Sequence, residues 1–180
     1  GRIGRDAHGG VSRPSFSPAD LEARRWLRKK IEDAGLCYRQ DGAGNQFGRL
    51  ECAAKTVMAG SHIDTVPGGG MFDGAAGVLA ALEAARRIVE EKVPLAKALE
   101  VASFTDEEGN LVGDFLGSRA FLGRLDENEV RTGKTSFGMP FAEVLRKTEF
   151  TAESILDAHK DRPELDAYLE LHIEQGPVLE

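Results

Sequence analysis

The chain has 180 residues, 41% apolar and 29% charged, with a formal net charge of -7. This is the composition of an ordinary globular domain, long enough for one real core. The acidic balance speaks against a grip on nucleic-acid phosphates, and with neither a membrane-length apolar run nor a signal-peptide pattern the expectation is a cytoplasmic protein free of the membrane.

Gly1 to Phe16 is rich in Gly and Arg, lacks periodicity and reads as a loop. Ser17-Pro18-Ala19-Asp20 is a helix start, with Ser17 as cap and Pro18 at the first helical position. Ala23, Leu27, Ile31 and Ala34 recur at helical spacing, and Gly35 closes the helix. On that reading Arg24-Arg25 and Arg28-Lys29-Lys30 are its solvated face. Leu36–Arg39 and Gln46–Leu50 read as two strands around the turn cluster Asp41 to Asn45, a hairpin. Cys37 and Cys52 lack metal-ligand spacing; reduced structural thiols suit a cytosolic protein, with one disulfide as the alternative.

A buried strand starts at Thr56 and delivers His62 and Asp64 at its end, where the chain turns through Pro67 and Gly68 to Gly70. Asp73 follows directly before a helix carrying Val78, Leu79, Leu82, Ala85 and Ile88. Leu99 to Thr105 reads as another buried strand and ends in Asp106-Glu107-Glu108-Gly109. A short helix starts at Ser118, Asp126 to Gly138 reads as a polar surface connection, and 140–147 and 151–159 have helical character with Thr151 as a cap. Tyr168 to Glu174 alternates as a half-buried strand, with Leu169, Leu171 and Ile173 facing the core and His172 on the other face. Strands alternating with helices predict an α/β layered domain, in which chemistry gathers beyond the strand ends.

Three such ends carry unusual polar residues: His62 with Asp64, Glu107 with Glu108, and His172. His62, Asp73, Glu108 and His172 make a His/carboxylate set without cysteine, the mix of a hydrolytic metal site. Asp73 can bridge two ions, and two ions together activate a water and polarise a carbonyl. Glu107 is then left to move the proton from that water to the leaving nitrogen. Asp64 can hold the second ring nitrogen of His62. Singly, each residue has a plainer use: Asp73 as a helix cap, Glu107-Glu108 as a solvated turn, and Gly68 to Gly70 as a flexible loop. His8 and His159 read as surface residues.

The segments GSHIDTVPGGGMFDGAAGVLAALEA, FTDEEGNLVGDFLGSRAF and LELHIEQGPVLE, in that order, resemble the hydantoinase/carbamoylase family of metal-dependent amidases. That family includes N-carbamoyl-L-amino-acid hydrolases, allantoate amidohydrolases and β-ureidopropionases, within the wider group of dinuclear metallo-aminoacylases and carboxypeptidases. GGVSRPSFSPADLEARRWLRKKIEDAGL and DGAGNQFGRL resemble its opening, so the similarity covers nearly the whole chain.

The resemblance implies a three-layer αβα catalytic domain with a mixed central sheet, of which residues 1–180 would be an N-terminal part cut before the lid and dimerisation domain. It implies that His62 and His172 bind a first divalent ion, Asp73 bridges, Glu108 holds a second ion, Glu107 is the general base and Asp64 orients His62. Gln175 would touch substrate. The ions would be two of zinc, manganese, cobalt or nickel, with the second site incomplete here. The reaction implied is hydrolysis of a linear C–N bond in N-carbamoyl amino acids or allantoate-like ureido compounds, releasing ammonia and carbon dioxide, by proteins that form homodimers. Family members run to roughly twice this length with a separate lid, so an open sheet edge and core face are expected. The alternatives are a non-catalytic fragment or truncated paralogue that binds metal or a partner chain, and a peptidase or aminoacylase of the wider group.

Overall fold

The computed structural model describes residues 1–50 and 55–174. Helix α1 (Pro18–Asp33) begins as its sequence dictates, with the Ser17 hydroxyl accepting the Asp20 amide at 3.3 Å. Strands β1 (Cys37–Gln40) and β2 (Gln46–Leu50) form the antiparallel hairpin. Its turn is closed by Asp41, whose Oδ1 accepts the amides of Ala43 and Asn45, each at 2.9 Å. Strand β3 (Thr56–His62), helix α2 (Ala75–Glu90) and strand β4 (Ala98–Phe104) make a parallel crossover, in register from Thr56 opposite Ala98 to His62 opposite Phe104. Strand β5 (Leu165–Leu169) pairs parallel with the other side of β3.

The sheet order is β1-β2-β4-β3-β5, mixed because β2 runs antiparallel to β4. Leu27 and Ile31 of α1 and Val78 and Leu82 of α2 pack with Val101 on one face. The other face carries Phe47, Met58, Ala102 and Phe104 with Phe121 of α3 (Leu116–Leu122). This is the expected α/β architecture, with helices on both sides of a mixed sheet. Helices α4 (Glu127–Thr132), α5 (Phe141–Leu145) and α6 (Ala152–Asp157) close a smaller core of Leu116, Val130, Phe141 and Ile155, capped by Ala43 of the hairpin turn. Among the described residues no helix is long and apolar enough to cross a membrane.

One consequence governs the site. Strands β3, β4 and β5 run in the same direction, so the chain after His62, after Phe104 and after Leu169 emerges at one end of the sheet.

Three expectations change. Arg24 is buried, not solvated, because it lies on the sheet side of α1 with Asp20 one turn before it, at 2.7 Å. The 126–138 connection contains α4, capped by Asp126 through the Glu129 amide at 2.8 Å and anchored by Val130, which is 1% exposed. Gly1 to Phe16 is a loop, as read, and is tied down where Val11 exchanges backbone hydrogen bonds with Gly69, at 2.8 and 2.9 Å. The last strand spans 165–169, and Leu169 and Leu171 are 60% and 62% exposed instead of in the core. Their alternation is as read, but β5 is the edge strand of the described sheet, and Leu169 and Leu171 border Gly77, Ala80 and Ala81 of α2 across an open cleft. Cys37 is a free, exposed thiol, whereas Cys52 and Gln175 lie outside the described residues.

Candidate metal centre

His62 is the last residue of β3 and 4% exposed. Its Nδ1 lies 3.0 Å from the carbonyl oxygen of Asp64. A carbonyl only accepts, so Nδ1 carries the hydrogen, and in the neutral ring Nε2 presents a lone pair. His172, three residues past β5, repeats the arrangement with Nδ1 2.8 Å from the Ile173 oxygen. The two Nε2 atoms face each other at 3.4 Å, with the rings stacked at 26°. Asp73 Oδ1 stands 3.4 Å from Nε2 of His172 and 3.9 Å from that of His62.

Two lone pairs and an anionic oxygen therefore converge on one point, which favours a cation between them. Two imidazole nitrogens and a carboxylate oxygen without sulfur are the donor set of a divalent ion at a hydrolytic centre. His62, Asp73 and His172 thus fit the metal the sequence led us to expect. The electrostatics agree. Burial opposes a charged His62, but the Asp64 side chain and carbonyl, with Glu108, outweigh it and push the imidazole up to about 9. The surroundings call for positive charge, whether a proton or an ion.

Two glycines make the approach possible. Gly74, at φ 59°, separates Asp73 from α2, and a Cβ there would lie 2.5 Å from three ring atoms of His62. A Cβ at Gly77 would overlap the Leu171 carbonyl, so its absence lets the 170–172 segment pass close to α2. Asp73 does not cap α2; the cap residue is Gly74, without a side-chain bond.

Asp64 holds His62 chiefly through its carbonyl, since its carboxylate is 3.5 Å from the ring nitrogen. That carboxylate, 1% exposed, accepts the amides of Glu107 at 3.3 Å and Glu108 at 3.2 Å. It bolts the turn after β4 to the end of β3. Glu108 Oε1 is 3.7 Å from Nε2 of His62, at the edge of the same trio. Glu107 accepts from Ser118 twice, from the amide at 2.9 Å and from the hydroxyl at 2.7 Å. Burial above all, then Asp64, push its carboxyl up to about 7 against the pull of Ser118 and His62, the range suited to proton transfer at neutral pH. Asp106, at φ 59°, and Phe115, at φ 61°, bracket the 106–115 loop in left-handed conformations. Asp106 pins its own side of that loop by accepting the amides of Asn110 and Leu111 at 3.0 and 2.8 Å.

These groups open on a cleft of about 660 Å³ walled by Phe104, Phe115, Tyr168 and Glu170. Glu170 accepts from Ser61 Oγ at 2.6 Å and Tyr168 Oη at 2.8 Å, tying the 170–172 extension to β3. Sequence reasoning overlooked Ser118, Tyr168 and Glu170. The last two share the strand face of His172 by period two, which was the available signal.

A family model described as peptidase family M20/M25/M40 matches residues 58–180. The chain is 37% identical to the N-carbamoyl-L-amino acid amidohydrolase of Geobacillus stearothermophilus, over 100% of this chain and 45% of that protein. It is 39% identical to allantoate deiminase 1 of Glycine max, over 97% of this chain and 38% of that protein. The crystal structure of a hydantoinase/carbamoylase family amidase from Burkholderia phymatum superposes with a TM-score of 0.80 at 39% identity, over 99% of this chain and 43% of that one. The chain thus spans less than half the length of the relatives it matches.

Proposed function

The chain belongs to the peptidase M20/M25/M40 family, and on that premise we propose that residues 1–180 form part of the catalytic domain of an amidohydrolase acting on N-carbamoyl amino acids or allantoate-like ureido compounds. The observation that carries this is the convergence of His62 Nε2, His172 Nε2 and Asp73 Oδ1 beside a carboxyl tuned to neutrality. The relatives' names, an N-carbamoyl amino acid amidohydrolase and an allantoate deiminase, support the ureido class over peptides.

His62, His172 and Asp73 would hold a divalent ion, with Glu108 at its edge available to a second. When bound, such ions supply Lewis acidity, polarising the scissile carbonyl and making water more acidic. The chain's own residues do the rest. The Asp64 and Ile173 carbonyls keep hydrogen on Nδ1 of each histidine, which leaves both Nε2 atoms free to donate electron pairs. Glu107 takes a proton from the attacking water and delivers it to the departing nitrogen, which leaves as ammonia. Phe104 and Phe115 line the cleft in which that transfer would take place.

The test is ammonia release from allantoate and several N-carbamoyl amino acids, with zinc, manganese, cobalt or nickel supplied in turn. Release that disappears on chelation and returns with one of these metals is expected. No release with any of them, from the chain or from a longer form carrying it, overturns the proposal.

A further inference from the structure

We propose that Ser118 is a positioning residue for the Glu107 carboxylate, an assignment that rests on reading Glu107 as the base. Ser118 gives one donor to each carboxylate oxygen, its amide to Oε1 at 2.9 Å and its hydroxyl to Oε2 at 2.7 Å. The last torsion of a glutamate is broad, so a free carboxylate swivels. Two donors from one residue fix its plane as well as its place. Each oxygen keeps a further lone pair for a proton. The Glu107 main chain is held separately, by Asp64. Backbone and side chain of the same residue are thus pinned by two different elements.

The clamp takes its own position from a buried frame. The Gly117 amide donates to Thr105 O at 2.7 Å and the Leu116 amide to Asp106 O at 3.2 Å, so the start of α3 folds back on the end of β4. Asn45, fully buried in the hairpin turn, ties the two together. Its Nδ2 donates to Gly117 O at 3.0 Å and its Oδ1 accepts the Thr105 amide at 2.8 Å, while Asp41 accepts from the same Nδ2 at 2.7 Å. A side chain at position 117 would overlap Asn45 and Thr105. Arg24 braces the turn from α1, donating to Gly44 O at 2.6 Å and to Thr105 Oγ1 at 2.9 Å. Of these framing residues only Ser118 lines the cleft. The frame would matter little to binding; its output is the orientation of one carboxylate.

Ser118→Ala removes the hydroxyl donor and keeps the amide; Ser118→Thr restores a hydroxyl. In the metal-loaded protein, kcat for ammonia release from an N-carbamoyl amino acid should fall about 10–100-fold in Ser118→Ala and recover in Ser118→Thr, as for other residues that orient a reacting group. KM and bound metal should stay unchanged. A second readout needs no activity. In the metal-free chain at pH 8, where the Glu107 carboxyl is ionised, the Ser118 amide proton should move to higher field in Glu107→Gln, because a charged acceptor becomes neutral. A Ser118 amide that does not move, a Ser118→Ala protein with full kcat, or one that loses metal in step with kcat overturns the assignment. Absence of ammonia release by the unsubstituted protein would fail the functional reading instead, and the amide shift would still decide whether the clamp holds Glu107.

Discussion

Nε2 of His62 and Nε2 of His172 stand 3.4 Å apart, and each ring has its other nitrogen committed to a carbonyl. Two neutral rings so held present lone pair to lone pair, an arrangement a cation stabilises. Equilibrium dialysis with zinc or manganese should therefore find an ion bound, with affinity reduced by on the order of 100-fold or more in His62→Ala or His172→Ala, since losing a ligand exceeds the 10–100-fold typical of losing its orienting partner.

The same site makes a pH prediction. Despite burial, Asp64 and Glu108 hold the His62 imidazole up to about 9. The ion needs the neutral ring, so proton and metal compete. Apparent affinity should rise with pH by about tenfold per unit up to that value and flatten above it, with a proton released on binding. Calorimetric titration in buffers of different ionisation enthalpy measures both. Affinity independent of pH between 7 and 9 would mean that His62 is not a ligand.

Gly74→Ala should separate metal binding from simple backbone strain. The new Cβ would meet the His62 ring at 2.5 Å, and alanine would be forced to φ 59°. We expect a loss of about 1–3 kcal/mol in urea unfolding together with a clear fall in metal affinity. Gly68→Ala is the control. It also has positive φ, 70°, but the nearest neighbour of a Cβ there would be the Asp6 carboxylate at 3.9 Å. It should pay strain alone and bind metal as before.

What the sequence made legible was local. The hairpin, the β3–α2–β4 crossover and the caps at Ser17 and Thr151 depend on residues close together in the chain, and three parallel strand ends carry His62, Glu107 and His172 to one place. What it hid depended on partners far away. Arg24 reads as solvent-facing until Thr105, 81 positions on, supplies an acceptor for it. Helix α4 has six residues with Val130 alone buried, too short a stripe to show a period. Ser118 has a role only once α3 folds back on β4. The alternation through Leu169 and Leu171 reports which face they occupy and says nothing of what covers it.

Asp64→Asn should be more damaging than its near-identical shape suggests. Both carboxylate oxygens accept amides, from Glu107 and Glu108. An asparagine keeps one acceptor and turns its NH₂ toward an N–H, donor against donor. The buried mismatch should cost about 1–3 kcal/mol in stability, and with the turn displaced, activity should fall about 10–100-fold. Urea unfolding and kcat on the same preparation test the two together; unchanged kcat would show that the turn does not need both bonds.

Glu107 supplies the pH test of stability. Burial, chiefly, pushes its carboxyl up to about 7 from an ordinary 4.5. The folded, metal-free chain therefore keeps this proton after the unfolded chain has released it. Below about 4.5 both states are protonated and the group is neutral in the balance. Between 4.5 and 7 the unfolded state gains by ionising, so stability falls with rising pH, by on the order of 3 kcal/mol, and levels off above 7. Glutamine removes that titration and keeps the contacts: its amide oxygen accepts the Ser118 N–H, and the serine hydroxyl rotates to accept from its NH₂. Metal-free Glu107→Gln should thus exceed the unsubstituted chain in urea resistance at pH 8 and match it near pH 4.5, while ammonia release is lost. Equal stabilities at both pH values would mean the carboxyl titrates as in water, and the burial that raises its basicity would then have no hold on it.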